Sequence, residues 1–157
     1  MNETTAQQLV QLLRARTVAA LGTLHAGAPY VSMVPYAIAP GGAGMLIHVS
    51  RLASHTKDMH ADPRVSLLVM QELEAGGSAI ALPRASIQGT AREIASDAPE
   101  LTAFSAAYLE RFPDAAQLFD FADFSLFNIQ PESARFVAGF AQAHSCSGET
   151  LMRLLAG

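Results

Sequence analysis

The chain has 157 residues, half of them apolar and 15% charged, which suits one folded domain over residues 1–157 and excludes whole-chain disorder. Ten Lys+Arg against fourteen Asp+Glu leave a formal net charge of -4, which argues against a surface built to grip nucleic acid. A lone cysteine, Cys146, excludes an internal disulfide, and no stretch approaches the ~20 apolar residues of a membrane span. The first residues lack a basic stretch followed by an apolar core, so the expectation is a cytoplasmic protein without a leader or a membrane contact. A mean hydropathy of +0.23 leaves two readings open, an alanine-rich monomer and a homo-oligomer that hides apolar surface between subunits.

In chain order, a helix is expected over about 4–16. Thr4 and Thr5 precede Gln7 and Gln8 by three residues, a capping-box spacing, and Leu9, Leu12 and Leu13 then form one stripe. Two strands follow, Thr17–Leu24 and Pro29–Ile38, joined by a short hairpin connection at His25–Ala28. The glycines of Pro40–Gly44 mark a turn before a third strand, Met45–Val49. Ser54–Ala61 reads as a short helix capped by Ser54 and stopped at Asp62-Pro63, with a buried strand, Arg64–Met70, after it. A loop with Gly76-Gly77 leads to a long strand, Arg84–Ile94, in which Gly89 marks a bend or bulge. A helix opens near Asp97 and ends at Phe112-Pro113. Two strands, Phe124–Ile129 and Ala134–Ala143, are expected around Pro131-Glu132, and a short helix from Gly148 ends the pattern. Short strands on tight connections predict a mainly β antiparallel barrel with flanking helices, about 17–143, and a short C-terminal tail.

Chemistry concentrates where the third strand meets the short helix. Helix N-termini present free N–H groups and a positive dipole end. Here they are joined by the hydroxyls of Ser50, Ser54 and Thr56 and the bases Arg51, His55 and Lys57, a set suited to a phosphate monoester. An ordinary capped helix with solvated polar residues explains the same letters. The five histidines make no metal motif: His55 and His60 are five apart, not four, His25 lies in a turn and His48 on a strand. His144 and Cys146 are the one pair of soft ligands close in sequence.

The run Ser50–Lys57 (SRLASHTK), then Asp62–Leu68 (DPRVSLL), then Ala134–Ala143 (ARFVAGFAQA), resembles the FMN-binding split-barrel superfamily. That superfamily includes the pyridoxamine 5'-phosphate oxidases, and the likeness is greatest to its HugZ-type haem-utilisation branch. Over residues 10–145, the resemblance implies a six-stranded antiparallel Greek-key split barrel, a homodimer, and FMN at the subunit interface. Carried over, it implies backbone or hydroxyl contacts from Ser32 and Val34 to the flavin ring, and His48, Ser50, Arg51, Leu52, His55, Thr56 and Lys57 around its phosphate. Where the oxidases proper place an Arg-Lys pair, this chain has Ser54-His55. Gln88 is read as a ring-edge contact or an outward strand residue, and Arg135 as a phosphate or substrate contact or an exposed strand arginine. His144 would match a C-terminal haem ligand of the HugZ branch. The expected function is accordingly an FMN-dependent oxidoreductase acting on a small molecule. Two alternatives stand beside it, a haem-binding or haem-degrading protein and a non-enzymatic flavin carrier.

Overall fold

A computed structural model describes residues 1–157. Helix α1 (Glu3–Ala15) starts a residue before the threonines suggest, because Asn2 is its cap and accepts the Thr5 N–H at 2.8 Å. Its Leu9, Leu12 and Leu13 stripe is buried. Strands β1 (Val18–His25) and β2 (Ala28–Pro35) form a hairpin whose two turn residues, Ala26 and Gly27, both have positive φ. This primed turn matches the twist of the paired strands. Strand β3 (Ala37–Ile38) continues β2 past Tyr36 and pairs with β4 (Met45–Ser50). Helix α2 (Ser54–Ala61), β5 (Arg64–Met70) and β6 (Arg84–Glu93) follow, then α3 (Leu101–Arg111), β7 (Phe124–Gly139), β8 (Gln142–Ser147) and α4 (Gly148–Ala156).

The strands run β2-β1-β5-β6-β7-β4-β3, every neighbouring pair antiparallel, with β8 added on β7. Because β2 and β3 are one run of chain that pairs with β1 at one end and β4 at the other, the sheet closes into a barrel. The side-chain pattern reads as seven strands, the resemblance implies six, and the sheet has eight segments. Counting β2 with β3 as one stave leaves six around the barrel, with β8 outside it. Alternate residues such as Leu21, Ile47, Leu67, Ile87, Phe127 and Ile129 fill the interior, and α1 adds its leucines. A second, smaller core packs Leu46 and Leu126 from the outer wall against Phe104 and Tyr108 of α3. No helix is long and apolar enough to cross a membrane.

The expected break at Pro131 is absent: β7 runs unbroken through it. Strand β4 pairs with β7 only as far as Ile129, and β8 takes over that edge at Ser133, so no partner there needs the N–H that Pro131 lacks. On the other edge β6 accommodates it with a bulge at Gln88/Gly89, where a Cβ on Gly89 would run into the Gln130 carbonyl. The expected last strand, Ala134–Ala143, therefore divides into the end of β7, a turn at Phe140-Ala141, and β8. The helix from Gly148 forms as expected, with Ser147 accepting the Thr150 N–H at 3.2 Å.

Helix α3 shields the outer wall on the β3, β4 and β7 side, while the wall formed by β2, β1 and β5 has no helix on it. There Val31 is 66% and Met33 64% exposed, and Val18 and Met70 are exposed nearby. Following the register across the sheet, that apolar face passes into Ser86 and Gln88 on β6 and Ser133 and Arg135 on β7.

Candidate functional site

The junction between β4 and α2 is held by its own side chains. Thr56, fully buried, donates its hydroxyl to the Ser50 carbonyl at 2.6 Å. The Ser50 hydroxyl accepts the Leu52 N–H at 3.2 Å and reaches Asp123 Oδ2 at 3.4 Å. Ala53, not Ser54, is the N-cap residue of α2, and no side chain caps it. Arg51 donates through Nε to the Ser125 hydroxyl at 2.8 Å and through a terminal nitrogen to Glu93 at 3.1 Å. Glu93 also takes a hydrogen bond from His60 Nε2 at 2.8 Å. Burial alone would raise the Glu93 carboxyl, but hydrogen bonds from Ser125 and His60 and the fields of His60 and Arg51 hold it below the usual range. The Ser50 and Thr56 hydroxyls and the Arg51 guanidinium thus have partners within the chain, Asp123 and Glu93 add negative charge beside them, and Ser54 and Lys57 are exposed. A dianionic phosphate is a poor fit to that arrangement.

His48 faces away from this junction into the second core. Its ring stacks on Phe119 with centroids 3.8 Å apart, and Phe124 and Tyr108 flank it. Its Nδ1 is buried without a partner, and burial pushes the imidazole down to about 4.

On the opposite flank, the end of the β1–β2 hairpin meets α2 in a cluster absent from the sequence reading. Thr23 donates its hydroxyl to Asp58 Oδ2 at 2.9 Å, and His25 Nδ1 hydrogen-bonds Asp58 Oδ1 at 2.7 Å. Asp58 is buried, while the His25 side chain is 60% exposed. Burial would raise the Asp58 carboxyl, but the bonds from His25 and Thr23 and the fields of His25 and His55 hold it below the ordinary carboxylate value. His55 shares a 3.2 Å hydrogen bond between its Nδ1 and the Ser32 hydroxyl. Burial lowers the His55 pKa, and Asp58 opposes part of that effect. The available signal for the cluster was the Thr23-x-His25 spacing, which puts both side chains on one face of β1 toward a helix whose inner positions include Asp58.

The remaining sequence-selected residues are dispersed. The Val34 side chain is in the barrel core, so the contact expected of this residue is one its backbone would make, and Leu52 and Lys57 are exposed. Gln88 accepts a 3.2 Å hydrogen bond from the Ser133 hydroxyl on the outer wall. Arg135 is exposed between Ser86 and Ser145 on that same wall. His144 pairs across the strands with buried Phe136, and so is on the other face of β8 from Ser145 and Arg135. The structure brings no three His, Cys, Asp or Glu side chains together to hold a bare metal ion.

The sequence profile of the family described as pyridoxamine 5'-phosphate oxidase matches residues 5–138. Non-canonical heme oxygenase HOZ of Arabidopsis thaliana, a chloroplastic protein, is 37% identical over 125 residues, 80% of this chain and 36% of that protein. This chain therefore spans about a third of the plant protein's length. Heme oxygenase HutZ of Vibrio cholerae is 28% identical over 147 residues, 92% of this chain and 82% of HutZ. A HutZ crystal structure, described as that of a heme storage protein, superposes with a TM-score of 0.72 and 25% identity, covering 80% of this chain and 89% of HutZ. A heme binding protein from Mycobacterium smegmatis superposes with a TM-score of 0.86 and 27% identity, covering 97% of this chain and 61% of that one. These matches correct the expected function. The relatives are named for haem, so an FMN-dependent oxidoreductase is not the reading they favour, and the committed donors at the β4–α2 junction agree with that correction.

Proposed function

We propose that this chain, which belongs to the pyridoxamine 5'-phosphate oxidase family, is a haem-binding protein of the HugZ type that degrades the haem it binds. The observation that carries the reading is the match over most of the chain to two proteins named as heme oxygenases. The chain's own surface supports it. Haem joins a flat apolar macrocycle to two carboxylates, and the bare outer wall joins Val31 and Met33 to a polar band with Gln88 and Arg135. Within the proposal, Arg135 and Gln88 receive the propionates, since a guanidinium fork pairs well with carboxylate. The exposed apolar wall also supports a homodimer that covers it, with the haem held between the copies. The proposed setting is the reducing cytoplasm, in keeping with the single cysteine, Cys146.

Bound haem would supply the iron centre for oxygen chemistry. The chain would supply the apolar seat and the propionate partners. Storage and degradation are separated by incubating the haemin-loaded protein with ascorbate in air. Degradation predicts progressive loss of the Soret band with release of a linear tetrapyrrole, and an intact Soret band under those conditions favours storage.

A further inference from the structure

Strand β1 carries a glycine at its middle, Gly22, for which the fold supplies no reason. Its φ is not positive, and β1 pairs without a bulge on both sides, Gly22 opposite Val31 of β2 and Ser66 of β5. A Cβ placed there would meet the Ser66 carbonyl oxygen at 3.5 Å and the Ser66 Cβ at 3.7 Å, which are ordinary contacts. At Gly89, by contrast, the same atom would lie 2.4 Å from the Gln130 carbonyl oxygen. A glycine inside a strand weakens it, and where no turn, bulge or packing demands one it marks a close approach by something outside the sheet.

Leu21 and Thr23 are buried on the inner side, so Gly22 faces out onto the bare wall. The register places it in one row with Val31 on β2, Ser66 on β5, Gln88 on β6 and Ser133 on β7. That row runs from the apolar end of the wall to its polar band, and Gly22 lies between them. With strands about 4.8 Å apart, Val31 and Gln88 are separated by about 14 Å. A shallow depression of about 280 Å³ opens over this stretch, with Gly22, Leu24, Pro29, Ser66 and Gln88 in its lining.

Resting on the haem reading above, we propose that Gly22 is a specificity-determining residue of the haem seat: its missing side chain lets the flat macrocycle lie directly on the β1 backbone between Val31 and Gln88. Dispersion falls steeply with distance, and a gap of about 0.5–1 Å forfeits a quarter to a half of each contact. A side chain at position 22 stands up from the wall beneath the ring and opens such a gap around itself. An aliphatic residue there suits the strand better and the ligand worse.

The test compares the full wild-type chain with Gly22→Ala and Gly22→Val by haemin titration, urea unfolding, and sedimentation without haemin. Both variants should unfold at the wild-type urea concentration or a higher one, since alanine and β-branched valine suit a strand better than glycine. Both should keep the wild-type association state. Haemin binding should weaken about 10-fold in Gly22→Val and less in Gly22→Ala, in order of side-chain height. Undiminished haemin affinity in Gly22→Val overturns the assignment and leaves the haem reading standing. A variant less stable than the wild type also overturns it, because the glycine is then a requirement of the fold. Dissociation of a variant where the wild type stays associated overturns it as well, because the close approach is then a partner chain's. A wild type that takes up no haemin overturns the haem reading, and this assignment falls with it.

Discussion

The His48 imidazole is the wrong polarity for its surroundings, and replacing it should stabilise the fold. Phenylalanine at position 48 keeps an aromatic ring against Phe119, Phe124 and Tyr108 and removes a buried nitrogen that has no partner. An unsatisfied buried polar atom costs about 1–3 kcal/mol, and fitting the larger ring takes back about 1, so His48→Phe should gain about 1 kcal/mol at neutral pH. Acid should enlarge the difference. The folded imidazole sits at about 4 against an ordinary 6.5, so the unfolded chain binds the proton more readily. The His48 contribution is thus fully present above pH 6.5 and is lost as pH falls toward 4. At 1.36 kcal/mol per pH unit the ceiling is about 3 kcal/mol, and solvent on the half-exposed ring cuts this to about 1–2. Urea unfolding of both proteins at about pH 7.5 and about pH 4.5 tests this, with the wild type expected to lose about 1–2 kcal/mol more than the variant. Equal losses in the two proteins, or a variant weaker than the wild type at the higher pH, would refute the reasoning.

Gly148→Ala should cost about 1–3 kcal/mol, because the added methyl meets the Pro131 carbonyl with no side chain there to give way. Urea unfolding that shows no loss would mean that β8 and α4 dock less tightly on β7 than described. Met33→Glu combined with Val31→Glu should turn a dimer into a monomer in sedimentation equilibrium without changing the circular dichroism. A wild type that sediments as a monomer at every concentration would remove the shared-site proposal.

Where side chains alternate strictly, the fold was legible. Arg64–Met70 and the Ser54–Ala61 helix have the bounds that the periodicity predicts, and the hairpin follows from Ala26-Gly27. Pro131 misled because a proline ends a strand only when a neighbour needs its N–H, and the handover from β4 to β8 removes that need. Strand β8 was overlooked because Gln142–Ser147 is mostly polar, and it pairs at an outer edge rather than inside the barrel.

The candidate site was harder to read for one physical reason. Hydroxyls and bases gathered at a helix start look like donors awaiting an anion when their acceptors are remote in sequence. Asp123 and Ser125 lie more than seventy residues from Ser50 and Arg51, and Asp58 lies 33 from His25. Only the folded chain shows that Ser50, Arg51 and Thr56 are already partnered, and that His25 is hydrogen-bonded to Asp58.

Haemin titration of the purified, cofactor-free protein, followed by absorbance with FMN as the parallel ligand, tests the central claim most directly. Saturation of a Soret band at a fixed ratio of haemin to chain, with no uptake of FMN, is the predicted result. Tight, stoichiometric FMN binding and a haemin spectrum no different from that of haemin in buffer would contradict it.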